Sequence, residues 1–218
     1  MTSPQTALEH LRVIRSLLEK AQIYRAVSAP AALVGGVLAL GASLWTIKVA
    51  QLDFSARVEE ETFLAIWLGI LAVTSVVNFA LLARQAALRG QPFFSSGMKT
   101  ALRSFFPPML VGGVLGVCLI WFEDEKELAA LVWILCYGLA LLATSHFSPR
   151  SLVRLGWAFL IAGIALTLWW SAAGGLGFLQ NNESKASLFL GLTFGLLHIA
   201  YAVAVFARRK PAMDIPVE

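Results

Sequence analysis

Six long stretches of this chain carry almost no charge, and short segments rich in Arg, Lys, Asp or Glu separate them. The apolar stretches run over 30–47, 62–83, 104–122, 128–147, 155–173 and 186–207. A helix rises about 1.5 Å per residue, so about 20 residues cross a hydrocarbon layer about 30 Å thick. Each stretch is near that length, and the pattern predicts six membrane-spanning helices. Residues 5–25 read differently. Ala7, Leu11, Ile14, Leu18 and Ala21 recur at helical spacing, while Glu9, Arg12, Ser16, Glu19 and Lys20 lie elsewhere around the helix. That periodicity predicts an amphipathic helix along the membrane surface or against the base of the bundle. The expected fold class is all-α: a polytopic membrane protein, a six-transmembrane-helix bundle with an N-terminal amphipathic interfacial helix. Its expected parts are that helix within 1–29, the transmembrane domain over 30–210 and a tail over 211–218.

One stretch occurs twice. Pro30-Ala31-Ala32-Leu33-Val34-Gly35-Gly36-Val37-Leu38 returns 77 residues later as Pro107-Pro108-Met109-Leu110-Val111-Gly112-Gly113-Val114-Leu115, identical at seven of nine positions. Each copy follows a cluster of Arg and Lys and opens an apolar run, so related helix pairs are expected. Pro30 suits the first turn of its helix, where a missing N–H is tolerated. Pro107 and Pro108 instead suit a kink in a longer helix, led in from Ser95 or Ser96 through Lys99 and Arg103. A weaker third copy aligns Arg154 with Arg103 and Gly163 with Gly112. Gly35, Gly36, Gly112, Gly113 and Gly163 are expected to pack helices, because membrane helices associate through close contact at small residues.

Composition narrows the class. Apolar residues make up 58% of the 218 and charged residues 14%, against roughly a quarter in a soluble domain. The net charge of +4 comes from short clusters between spans, not from a basic surface, so membrane topology explains it better than nucleic acid. Of the 17 basic residues, thirteen cluster at Arg12–Arg25, Arg84–Arg103, Arg150–Arg154 and Arg208–Lys210, leaving Lys48, Arg57, Lys126 and Lys185 on the opposite side. That asymmetry predicts a bacterial-type inner membrane protein with both termini cytoplasmic. Cys118 and Cys136 both fall inside apolar runs and read as buried thiols, not as a disulfide or metal framework.

Candidate chemistry is sparse. No Asp, Glu, Lys or Arg falls well inside a span, which argues against a carboxylate-based proton path or a charged channel ring. His198, about ten residues before Arg208, is the leading candidate to bind a cofactor such as haem or quinone, or another ligand. Asn78 (with Thr74 on its helical face), Thr144, Ser145, His198 and Tyr201 form a polar set toward the cytoplasmic half, and Tyr137, nearer the middle of its helix, can reach into the same space. Trp67 and Trp133 sit deeper than an aromatic belt requires and suit the wall of a site for an apolar molecule. Catalytic and metal residues are not expected: phosphate-binding loops, HExxH, GxSxG and paired carboxylates do not occur.

Three functions fit this pattern. The first is a non-enzymatic accessory, assembly or oligomeric component, whose partners are the lipid bilayer and either other membrane subunits or a second copy. The second is a transporter or channel for a small neutral or apolar molecule. The third is a haem- or quinone-binding redox protein centred on His198. The cofactor, if any, is unknown at this level.

Overall fold

The computed structural model describes residues 27–52, 59–88, 90, 94, 96–173 and 182–208. The expected amphipathic segment 5–25 and the tail lie outside the described residues. Helix α1 covers Ala29–Leu52, α2 Glu60–Leu88, α3 Ser96–Glu123, α4 Lys126–Ala143 and α5 Arg150–Ala173. The sixth span begins as α6, Asn182–Leu190, continues as a π-helical segment over Gly191–Leu197 and ends as α7, His198–Ala207. Among the described residues six helices are long and apolar enough to cross a membrane and no strand occurs, the architecture of an all-α, six-span membrane protein.

Several helices run past the uncharged stretches that predict them. In α3 the chain is helical from Ser96, so the lead-in and the apolar run are one element, with Pro107 and Pro108 inside it. The repeated motif therefore starts at the first turn of α1 but eleven residues into α3. The end of α3 is set by Asp124, whose φ of 51° is the left-handed turn that reverses the chain into α4. The N–H of Glu125 donates to the Leu119 carbonyl across that turn at 2.9 Å.

Consecutive spans alternate in direction, which gives the bundle two ends. At one, Ser28 caps α1, with its Oγ accepting from the Ala31 N–H at 3.4 Å. Arg84, Lys99, Arg103, Arg150, Arg154 and Arg208 gather toward this basic end. The other end carries Glu60, Glu123, Glu125 and Glu127. Here the start of α4 is sunk into its neighbours, with Lys126 3% and Glu127 5% exposed. Such burial is tolerated only because each charge is paired. Lys126 bridges to Glu60 of α2 at 3.1 Å and also to Asp124, while Glu127 meets Lys185 of α6 at 3.2 Å and accepts from the Trp170 indole of α5.

α4 occupies the middle, packed by α3, α5 and α6, while α1 lies against α2 and the sixth span. Close approach sets several of these contacts. A Cβ on Gly36 would stand 2.8 Å from Ile199 and 2.9 Å from the Gly195 carbonyl, and one on Gly195 would stand 3.2 Å from Leu40. A Cβ on Gly112 would stand 2.5 Å from Cys136 of α4, and one on Gly163 2.7 Å from Leu135. Outward-facing Val37, Leu44, Val76, Leu110, Ile161 and Leu168 are exposed, the surface a lipid environment takes.

The glycine contacts lead to a direct comparison on one helix. Gly36→Leu is expected to destabilise the detergent-solubilised protein by about 1–3 kcal/mol, the cost of overpacking a tight contact. Gly41→Leu, where nothing stands within 4 Å of an added Cβ, should leave the thermal midpoint nearly unchanged. Equal midpoints for the two variants would show that α1 does not depend on this approach.

Candidate functional site

The centre of the bundle holds one polar pair in an aromatic setting. The Tyr137 hydroxyl of α4 lies 2.8 Å from His198 Nε2, and His198 Nδ1 lies 2.9 Å from the Phe194 carbonyl. A carbonyl can only accept, so in the neutral imidazole Nδ1 carries the hydrogen and Nε2 accepts from the Tyr137 O–H. Both ring nitrogens are then engaged, and an iron at Nε2 would first have to displace the tyrosine.

Local structure explains how His198 reaches this position. It begins α7 where the π-helical segment ends, and its own N–H donates to the Gly195 carbonyl. A π segment carries an extra residue in its turn and rotates the next turns relative to an unbroken α-helix. Gly191 and Gly195 let α1 come down on this segment at Ser43 and Leu40. Around the pair, Phe159 and Phe194 have ring centroids 4.7 Å and 5.0 Å from that of Tyr137, and Phe105 approaches it edge-on at 6.2 Å. Phe194 stacks on the imidazole at an interplanar angle of 16°.

The pair stands in the wall of a cavity of about 170 Å³. Gly35 and Ala39 of α1 form one side, Trp67, Leu68, Ile70, Leu71 and Thr74 of α2 the next, and Met109, Gly112 and Gly113 of α3 a third. Trp133, Cys136 and Tyr137 of α4, with Leu190, Phe194 and His198 of the sixth span, close it. No Asp, Glu, Lys or Arg is among these residues. α2 meets α3 only sparsely, and its buried residues are Phe63, Leu64 and Trp67 near the glutamate end. Leu68 and Leu71 line the cavity and are at the same time 41% and 47% exposed, so it opens sideways where α2 and α3 scarcely touch.

Of the sequence candidates, Tyr137, His198, Trp67 and Trp133 share this cavity, together with Gly35, Gly112 and Gly113. At Gly113 nothing stands within 4 Å of an added Cβ. Asn78 and Tyr201 are not among the lining residues. Both meet the backbone where α1 begins: Asn78 Oδ1 accepts from the Ser28 N–H at 2.9 Å, and the Tyr201 hydroxyl donates to the Val27 carbonyl at 3.1 Å. Gly36 and Gly163 serve helix contacts away from the cavity. Sequence reasoning did not select Thr74, Met109, Cys136 or Phe194 as site residues. In the sequence a Met or Phe in an apolar run looks the same whether it faces lipid, core or cavity. Among the described residues no group of three metal-ligating side chains stands together, and Cys118 and Cys136 are free thiols, Cys118 exposed and Cys136 half-buried where two buried thiols are expected from the sequence.

Fold and site define a six-span helical membrane protein with a mostly apolar hollow beside a central Tyr–His pair. No family model, curated protein or solved structure matches this chain.

The hydrogen-bonded pair lends itself to a double-mutant cycle. Tyr137→Phe and His198→Leu are each expected to cost about 1–3 kcal/mol, since each leaves a buried polar partner unsatisfied. The double variant should cost less than the sum, because the Tyr137–His198 hydrogen bond is lost only once and neither of its partners is left unsatisfied. Additive losses in the denaturation midpoint would show that the two side chains do not interact.

Proposed function

We propose that this chain is a membrane carrier or binding protein that takes a small, neutral, largely apolar molecule from the bilayer into the cavity beside Tyr137 and His198. The supporting observation is the hollow itself, uncharged in its lining and open between α2 and α3. Voids forfeit dispersion contacts on every side, so helices that served only to pack against partners would gain by closing one. This favours the carrier over the accessory-component reading. The redox reading is weakened because His198 Nε2 is already committed to Tyr137. Trp67 and Trp133 supply flat apolar walls, and the Tyr–His pair supplies the one polar contact.

The repeated motif fits this proposal as the trace of duplicated helix pairs. Gly35 meets Thr74 of the helix after it, and Gly112 meets Cys136 of the helix after it. On this reading one copy of the Gly-Gly pair still packs with both members, while Gly113 has been freed to face the cavity. The basic end is assigned to the cytoplasm of a bacterial-type inner membrane by the distribution of Arg and Lys.

Two outcomes test these assignments. Wild-type protein in dodecyl maltoside is expected to bind p-xylene above an empty-micelle baseline in isothermal titration. Gly113→Phe, which has room for its side chain and fills the hollow, should abolish that binding while the melting midpoint stays within a few degrees of wild type. Unaltered binding by the variant would remove the cavity from consideration. For orientation, a fluorescent protein fused after Glu218 should fluoresce and alkaline phosphatase fused there should be inactive; the reverse pattern would invert the topology.

A further inference from the structure

One oxygen in the cavity wall, that of Tyr137, retains unused hydrogen-bonding capacity, and its chemistry says what it can recognise. Tyr137 has one hydroxyl hydrogen, and it is spent on His198 Nε2. The imidazole cannot reciprocate, because its own hydrogen is on Nδ1 and directed to the Phe194 carbonyl. The chain of donation runs from Tyr137 to His198 to the backbone, and what remains at its head is an oxygen with lone pairs only. That oxygen can accept but has nothing left to give. Thr74 is also among the lining residues but does not offer its hydroxyl to the hollow: Oγ1 is buried without a partner and packs toward Gly35, 2.8 Å from where a Cβ there would stand.

We propose that the ligand of this cavity carries a hydroxyl: it is a lipid-soluble phenol or alcohol whose O–H donates to the Tyr137 oxygen. The proposal rests on the binding reading above and narrows its substrate class. Ketones, esters and ethers bring acceptors alone, so their oxygen would confront the lone pairs of Tyr137 with no hydrogen between them. Charged amines and acids find no countercharge in the lining. The size limit is similarly physical, since a void of about 150 Å³ lined by apolar side chains admits benzene. The hollow here, about 170 Å³, takes one ring or a short chain, and any further length would lie in the opening between α2 and α3. Aromatic walls at Trp67, Trp133 and Phe194 favour the ring.

Three probes of nearly equal shape separate the possibilities: p-cresol, with a donor; 4-methylanisole, with an acceptor only; and p-xylene, with neither. Each is titrated calorimetrically into the full chain in dodecyl maltoside, corrected for partition into empty micelles. Wild type is expected to bind p-cresol about five- to tenfold more tightly than the other two, the yield of one buried hydrogen bond. Tyr137→Phe alone would expose His198 Nε2 as a substitute acceptor, so the decisive variant is the double change Tyr137→Phe with His198→Leu. It should bind all three probes alike, and its retained affinity for p-xylene reports a folded cavity. If wild type binds all three equally, donor recognition is overturned while the cavity reading stands. A preference for p-cresol that survives the double change also overturns it. If wild type binds none of them, both readings fall together.

Discussion

Inside a lipid bilayer no water is available to satisfy a polar group, so each buried donor or acceptor must find its partner within the protein. That constraint runs through this bundle. The first turn of α1 is met by Ser28, Asn78 and Tyr201 acting together on Val27, Ser28 and Ala31. Thr46, Thr167 and Thr193 turn their hydroxyls back on carbonyls four residues earlier in their own helices. Among the described residues, Asp, Glu, Lys and Arg sink below the surface only at the glutamate end, where Lys126, Glu127 and Lys185 are all paired. His198, in the middle of the sixth span, satisfies one nitrogen within its own helix and the other across the bundle on Tyr137.

The same constraint gives the cavity its meaning. Where helices gain by contact, an open space between α2 and α3 is a departure from the rule, whereas an unpartnered hydroxyl like that of Thr74 is found also at Ser184 and Ser187, which do not line the cavity. Departures of this kind concentrate where a protein holds something else. α2 is the helix best suited to border such a space. It is held near its start, at Phe63–Trp67 with the Glu60–Lys126 bridge, and again at Asn78, two thirds of the way along, on the start of α1. Between them, its Thr74 touches Gly35 and its Leu68 and Leu71 face the opening.

The π-helical turn links the packing to the site. Gly191 and Gly195 admit α1 closely, the seven residues between Leu190 and His198 take the wider turn, and His198 emerges facing Tyr137. Nothing in Gly-Leu-Thr-Phe-Gly-Leu-Leu announces that turn, because the run is as apolar and helical in composition as its neighbours. The burial of Glu127 was equally hidden: a glutamate beside a turn reads as solvated until Lys185 and Trp170 are brought to it.

The sequence by itself determined the six helices, through runs of uncharged residues long enough to cross a bilayer, and it marked Tyr137, His198, Trp67 and Trp133 as residues out of keeping with such runs. Hydropathy is a local property, so it can be read along one dimension. The tertiary structure alone decided which of those residues meet. Tyr137 and His198 lie 61 positions apart, and Asn78 and Tyr201, equally polar and equally placed in the sequence, go to the start of α1 instead. Rotation about each helix axis, fixed by glycine contacts and by one π turn, separates a side chain that lines the cavity from one that pins a backbone. A rotation of that kind leaves no trace in composition or period, because it is set by the neighbouring helix.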